Sequence, residues 1–404
     1  MTASQSQPLL TSAEAAARLG IKPETLYAYV SRGVLRRQRN RDGSWFDPLD
    51  IEALAARRRR RPPTTRGAAP GRPLMMLETD LALVEDGELY LRGQRASDLA
   101  RTSTLEEVAS WLWSADVDLL RSPLPPADLS TARNLLGALP PGATRTDQLQ
   151  LIAVALGATD AWREETSPDA LRRAGARFLT GVPQALDVSG PAPGAGIADL
   201  LWSALSPHPP DPPHVRALSA ALVLLVDHDL AVSTLAARVA GSARASGYAV
   251  ISAALGAFAS PLHGLASVPA AALLRSVLAG ESPERAIRGA LAGTHTRLPG
   301  FGQALYPDGD ARARTLLQLV TGLPGGPTAL NAVHAVAEVV AQRTGLLPNI
   351  DLAIAALAVA SDMDDGDGPL VFALGRTVGW IAHAIAEHAQ PPLRLRPQGR
   401  YTGR

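Results

Sequence analysis

Residues 347–403 constrain the fold more than any other stretch, because ionisable side chains are sparse in most of it and the apolar ones recur at helical intervals. Within 371–388, Leu374, Val378, Ile381 and Ile385 follow one another at steps of four, three and four, the spacing of one helix face. Arg376 lies two residues past Leu374 and so leaves that stripe from the side. Upstream, Asp351 follows Leu347, Pro348, Asn349 and Ile350 and opens an apolar run of Ala, Leu, Ile and Val. An unpartnered carboxylate in such a run loses its hydration, which raises its pKa and makes it a usable general base. Downstream, residues 394–401 are basic and extended, since Pro391, Pro392 and Pro397 exclude a helix. One enclosed acid near several arginines points to a site for an anionic, carboxylated substrate.

The 404 residues suffice for two or three domains, and 46% hydrophobic against 19% charged residues is ordinary for a globular chain. With no cysteine, disulfides, thiolate nucleophiles and cysteine-ligated zinc are excluded. The first twenty residues show no basic segment leading into an apolar core, and no run of 18 apolar residues follows, so the expectation is a soluble cytoplasmic protein with no membrane contact. No Walker loop or GxGxxG fingerprint occurs. Asp362, Asp364, Asp365 and Asp367 look like a calcium loop, but their spacing is irregular and the twelfth position is Ala373, so they read as a solvated loop. His383, Glu387 and His388 lack the helical spacing of a zinc site, and no metal is expected.

The net charge of +1 conceals an asymmetry. Residues 1–66 hold 13 basic against 6 acidic side chains, a net +7, while the remainder is net −6. Thr11 or Ser12 can cap an Ala-rich helix that Gly20 ends, Pro23 suits the first turn of a second helix, and Gly33 closes it. Residues 34–46 then read as a hairpin with Asp42-Gly43 at its tip, and 48–57 as a third helix. This order resembles the winged helix-turn-helix modules of MerR-type regulators and excisionases. The resemblance implies DNA as partner, with Thr25, Tyr27, Tyr29 and Ser31 on the recognition helix and Arg36, Arg37, Arg39 and Arg41 on a wing against phosphates. Residues 57–61 read equally as a phosphate-grasping tail or a solvated connector.

Beyond residue 74 several motifs follow in order. They are LYLRG with STLEEVASWLW, then Asp227-His228-Asp229 with Ser233-Thr234, then PLHGLA around His263. LPGFGQALYPDGDAR, PNID, GRTVGWIAH and RPQGRYTG complete the series. Together they resemble the citrate synthases. The resemblance implies a mainly helical, all-α fold with a large domain (74–263 and 367–404) interrupted by a small one (264–366), behind a module (1–62) and a linker (63–73). It also implies condensation of acetyl-CoA, or a close acyl-CoA, with oxaloacetate in a homodimer. No resident cofactor is implied, since the coenzyme A thioester is the substrate. Asp351 is then the base and His263 the donor to the thioester oxygen. His228, Arg312 and Arg376 hold the keto acid, with Arg396 reaching in from a second subunit, and Leu298, Gly300, Gly302 and Asn349 line the coenzyme A site.

The departures from the family pattern are specific. Ala231 stands where Asn is usual and Leu225 where His is common. Gln303 occupies the position of a catalytic histidine that donates to the ketone, and Pro307 that of a basic residue. An amide donates a hydrogen bond but transfers no proton at neutral pH. His295 reads either as a stand-in or as an ordinary surface residue. The alternative function is therefore a DNA-binding regulator whose altered domain senses a keto acid or acyl-CoA, and a third is an interaction scaffold.

Overall fold

A computed structural model describes residues 8–40, 43–60, 76–186, 194–293 and 297–403. Eighteen α-helices dominate the described residues, and strands form two small antiparallel sheets.

The N-terminal unit runs β1 (Leu10–Thr11), α1 (Ser12–Leu19), α2 (Pro23–Ser31), β2 (Gln38–Asn40), β3 (Gly43–Phe46) and α3 (Pro48–Arg60), with the sheet ordered β1-β3-β2. Thr11, rather than Ser12, caps α1 in a reciprocal box with Glu14, and Gly20 ends it at φ 60°. Leu10, Leu19, Leu26, Leu35, Phe46 and Ile51 close a small core of its own. Helix α3 runs three residues past its expected end at 57. Arg41, Asp42 and the linker 63–73 lie outside the described residues, as does His295.

The second sheet is made of β4 (Ala82–Glu85), β5 (Glu88–Leu91) and β6 (Gln94–Arg95). It leads into α4 (Ala96–Thr102) and α5 (Leu105–Trp113), and Thr104 and Glu107 form a capping box at the start of α5. Then come α6 (Pro126–Gly137), α7 (Arg145–Thr159), α8 (Pro168–Leu186), α9 (Ile197–Leu205), α10 (Pro212–Leu224), α11 (Val232–Ser242) and α12 (Gly247–Phe258). The remainder is α13 (Ser267–Leu278), α14 (Pro283–Gly293), α15 (Ala311–Val320), α16 (Gly326–Thr344), α17 (Ile350–Ala360) and α18 (Asp367–His388).

Helix α18 is the axis. The sequence stripe suggests one apolar face, but the helix is buried all round from Asp367 to Ala384. It is the one described helix long and apolar enough to cross a membrane, and its 89% burial marks it as a core helix. Gly375 and Gly379 make that burial possible. A Cβ would sit 2.5 Å from the Leu222 carbonyl oxygen at one and 2.2 Å from that of Val226 at the other, so only glycine lets the end of α10 lie against α18. Trp113 Nε1 donates to the Val378 carbonyl at 2.9 Å and pins α5 to the same helix.

Two hydrophobic cores meet along α17. Ile354, Leu357 and Ala358 face the main core with α10 and α18, whereas Leu352, Ala355 and Ala356 face a second core built with α13, α14 and α16. Leu49 of α3 is also enclosed in that second core. Arg288 pairs with Asp47 at 3.2 Å and Arg343 with Asp50 at 2.8 Å, so the N-terminal unit is fastened to the second core through α3.

The acidic loop before α18 corrects one expectation. It is not simply solvated: Asp362 meets His208 at 2.8 Å, Asp365 accepts from Arg275, and fully buried Asp367 accepts from Arg145 at 2.6 Å. Its acids clamp segments more than eighty residues away, and backbone spacing alone does not reveal such partners.

Candidate active site

The site begins where α17 begins. Asn349 caps that helix by accepting from the Asp351 and Leu352 amides. Its own amide nitrogen Nδ2 donates to the Gly302 carbonyl at 3.3 Å. Gly302 N donates to Leu347 O at 2.8 Å and Asn349 N to Gly300 O at 3.0 Å, clipping the turn after Leu298 onto the start of α17. Gly300 and Gly302 have φ of 77° and 73°, and a Cβ at Gly300 would lie 2.8 Å from that of Leu352. Leu298 is buried beneath the turn. Three of the four residues expected to contact coenzyme A, Gly300, Gly302 and Asn349, thus also set the position of Asp351.

Asp310 joins a second helix start to the first. Its Oδ1 accepts from the Arg312 amide at 3.0 Å, capping α15, and its Oδ2 accepts from Ile350 N at 3.1 Å. The same carboxylate grips the Arg312 guanidinium from Nε at 3.0 Å and Nη2 at 2.9 Å. That two-point geometry presents the rest of the guanidinium in a fixed plane. Burial opposes the charge on Arg312, but Asp310 outweighs it and raises the pKa further.

Arg376 is held differently. Its Nε donates to the Leu225 carbonyl at 2.8 Å, which the glycine contacts of α18 bring within reach, and its plane lies over Phe372 at 4.9 Å. Nη1 is buried without a partner. Burial, partly offset by Asp227, lowers its pKa to about 10, so it remains charged with one donor unsatisfied. A buried cation with a free donor is a receptor for an anion.

Asp351 faces both arginines. Its Oδ1 is enclosed and unpartnered. Burial raises its pKa to about 6, against the pull of Arg312 and Arg376. The sequence reading of an enclosed acid thus acquires a cause: Asp351 is largely withdrawn from solvent, and its Oδ1 is enclosed without a hydrogen bond.

Two histidines complete the cavity as neutral groups. His263 stands in the turn between α12 and α13, its Nε2 2.7 Å from Ser233 Oγ. Ser233 Oγ also accepts from Trp380 Nε1 at 3.1 Å. The hydroxyl proton is therefore free to go to His263 Nε2, which leaves Nδ1 as the N–H donor. Burial and then Arg376 lower the His263 pKa to about 4, which keeps the ring neutral. His228 is held well below its usual value by burial, Arg312, Arg376 and His263, and its Nε2 is buried without a partner. Its backbone N–H donates to Asp227 Oδ1 at 2.8 Å, while Asp227 Oδ2 meets His383 Nε2 at 2.7 Å. Burial disfavours the charge on Asp227, yet His383, Arg376 and the His228 amide together hold its pKa low.

The expected site residues separate into groups. Asp351, His228, His263, Arg312 and Arg376 converge from five parts of the chain and act on one another electrostatically. Gln303 is half-buried in the turn before α15, where its carbonyl accepts from Tyr306 N at 3.1 Å. Arg396 is exposed, and the tail carrying it is tied to Glu387 through Arg394 at 2.7 Å. Glu387, which anchors that tail, lies about 16 Å along α18 from Arg376. Thr25, Tyr27, Arg36, Arg37 and Arg39 are all exposed on the N-terminal unit.

Sequence reasoning missed Asp310, Ser233 and Tyr306. Asp310 and Ser233 sit in the very motifs quoted, but their roles depend on partners from other helices. Tyr306 is 3% exposed, lies beneath the Arg312 guanidinium at 4.9 Å and beside the His228 ring at 5.3 Å, and its hydroxyl is buried without a partner. Its place three residues after Gln303 was the available signal.

Solved structures share this architecture. A citrate synthase from Thermotoga maritima aligns with a TM-score of 0.67 at 24% identity, covering 82% of this chain and 94% of that one. One from Thermoplasma acidophilum, solved as a ternary complex with carboxymethyl coenzyme A and oxaloacetate, aligns with a TM-score of 0.68 at 22% identity over the same shares. The fold is therefore that of the citrate synthases.

Sequence comparison goes further. The family model for the citrate synthase C-terminal domain matches residues 72–398, and the chain belongs to the citrate synthase family. Among its relatives, citrate synthase 2 of Bacillus subtilis is 28% identical over 80% of this chain and 92% of its own length. A 2-methylcitrate synthase of Mycobacterium tuberculosis is 28% identical over 79% and 86%.

Proposed function

We propose that the chain condenses acetyl-CoA, or a close acyl-CoA, with oxaloacetate to give citrate and free coenzyme A. The observation that carries this reading is the Asp351 carboxylate, its Oδ1 enclosed and unpartnered, set against two buried arginines, one with an unsatisfied donor. The methyl protons beside a thioester are weakly acidic, so removing one requires a base of raised pKa and a donor to the forming enolate oxygen at once. Asp351 is that base, and His263 offers Nδ1–H as that donor. Arg312, Arg376 and His228 take the dicarboxylate and its keto group, and Arg396 of a second subunit completes the grip in a homodimer. Coenzyme A lies along the turn of Leu298, Gly300 and Gly302 and the start of α17 at Asn349. Motion of the second core about α17 then closes the cleft and excludes water.

The test is thiol release from acetyl-CoA and propionyl-CoA with oxaloacetate. Release with either acyl-CoA supports the reading, and the ratio assigns the acyl chain. No release with either, while oxaloacetate still binds, favours the second reading, a regulator that senses the keto acid and binds DNA. One observation supports that alternative: α3 is taken up by the second core, while α2 and the β2–β3 arm, with Thr25, Tyr27, Arg36, Arg37 and Arg39, remain exposed.

A further inference from the structure

The condensation turns a ketone oxygen into an alkoxide, and Gln303 has no proton to give it. We propose that the Tyr306 phenol supplies that proton in place of the missing histidine, an inference that rests on the condensation reading above.

Three observations carry the assignment. Tyr306 Oη is enclosed and has no hydrogen-bond partner, an uncommon state for a buried hydroxyl unless a ligand completes it. The ring contacts both groups expected to hold the keto acid, His228 at 5.3 Å and Arg312 at 4.9 Å. Tyr306 also belongs to the same turn as Gln303, joined to it by a 3.1 Å backbone hydrogen bond, so the donor moves along the turn without leaving the site.

The electrostatics fit the task. Burial pushes the phenol pKa up to about 12, while Arg312 and Arg376 pull against that rise. Tyr306 therefore stays protonated at any working pH and does not ionise in favour of the substrate carboxylates. It yields its proton only to a base as strong as a tertiary alkoxide, and the two arginines then stabilise the phenolate.

The proton count closes. Asp351 takes one methyl proton, and the freed electron pair forms the carbon–carbon bond to the keto carbon. The C=O π pair moves onto oxygen, which takes the phenol proton. The phenolate is reprotonated through water by the Asp351 carboxylic acid, which restores both groups before water releases coenzyme A.

Tyr306→Phe tests the step without disturbing the fold, because the lost hydroxyl bonds to no protein group. Removing an unsatisfied buried hydroxyl leaves stability unchanged or raises it. The expected result is a roughly 10²- to 10⁴-fold fall in kcat for thiol release. Methyl proton exchange into deuterium oxide should continue with keto acid bound, and Tm should not fall. Adding Gln303→His to Tyr306→Phe restores part of the lost rate. Tyr306→Phe turning over at the wild-type rate while Asp351→Asn is inactive overturns the role of Tyr306 and leaves the condensation reading standing. Equal loss of exchange and turnover, accompanied by a lower Tm, overturns it as well, by showing a structural role. A wild type that releases no thiol removes the condensation reading and this step with it.

Discussion

Arginine serves two regions of this molecule in opposite ways. In the cleft, Arg312 and Arg376 are buried, one fixed by two bonds to Asp310 and the other by a single carbonyl with a donor to spare. On the N-terminal unit, Arg36, Arg37 and Arg39 project into solvent. Burial converts a charge into a placed, weakly screened instrument that perturbs every titratable neighbour, whereas exposure leaves a mobile charge whose influence ends within a Debye length of about 8 Å in physiological salt. The cleft should accordingly be sensitive to single substitutions and indifferent to salt, and the N-terminal unit the reverse.

The largest effect should come from the carboxylate that both buried arginines face. Asp351→Asn is expected to lower turnover by at least about 10²-fold, and methyl proton exchange with it, while oxaloacetate binding persists. In the wild type, turnover should rise with pH through about 6, because the base works only when ionised. Stability carries the matching sign. The folded pKa is raised, so the destabilisation by Asp351 is absent below the ordinary carboxylate range near 4, grows as pH rises from there and is complete above about 6. Asp351→Asn should therefore raise stability above pH 6 by on the order of 2 kcal/mol and leave it unchanged at pH 3. Equal thermal shifts at both pH values would show that burial does not raise this pKa.

Next is the arginine with the unsatisfied donor. Arg376→Met should weaken oxaloacetate binding by roughly 30-fold or more, the usual cost of losing one side of a buried charge pair. Calorimetric titration at two salt concentrations checks it, and a strong salt dependence would break the contrast with the exposed arginines.

Arg396 is intermediate, exposed in its own chain yet expected to act in its neighbour. Arg396→Ala should raise the KM for oxaloacetate about tenfold, and dilution below the dimer dissociation constant should do the same to the wild type. Sedimentation showing a monomer with full affinity for the keto acid would remove it from the site.

On the exposed side, the full chain should bind duplex DNA with an affinity that falls steeply between 50 and 200 mM salt. Replacing Arg36, Arg37 and Arg39 by Ala should flatten the logarithmic salt slope by roughly 3 while leaving thiol release unaffected. Absence of binding at 50 mM salt would assign the basic unit to some other partner. The smallest effect belongs to the seam: Arg288→Ala should loosen the N-terminal unit by about 1 kcal/mol, read as faster proteolysis of that unit, since a half-buried pair contributes little more.

The sequence by itself determined the helical class and much of the local framework. The capping box of Thr104 and Glu107, the glycine stop at Gly20 and the cap at Asn349 are decided by residues within four positions of one another, so their physics is readable along the chain. It also marked Asp351, His228, His263, Arg312 and Arg376 as candidates through short motifs. It gave no warning that the acids of 362–367 clamp Arg145, Arg275 and His208, because those partners lie far away in the chain. Only the tertiary structure decided that Asp351 has no partner, that Arg376 has a donor to spare and that the Tyr306 hydroxyl is enclosed without one. Such properties are absences as much as contacts: a pKa or a free donor depends on everything that surrounds a group. Here those surroundings come from α10, α11, α15, α17 and α18, and the end of α10 lies against α18 because Gly375 and Gly379 let two backbones touch.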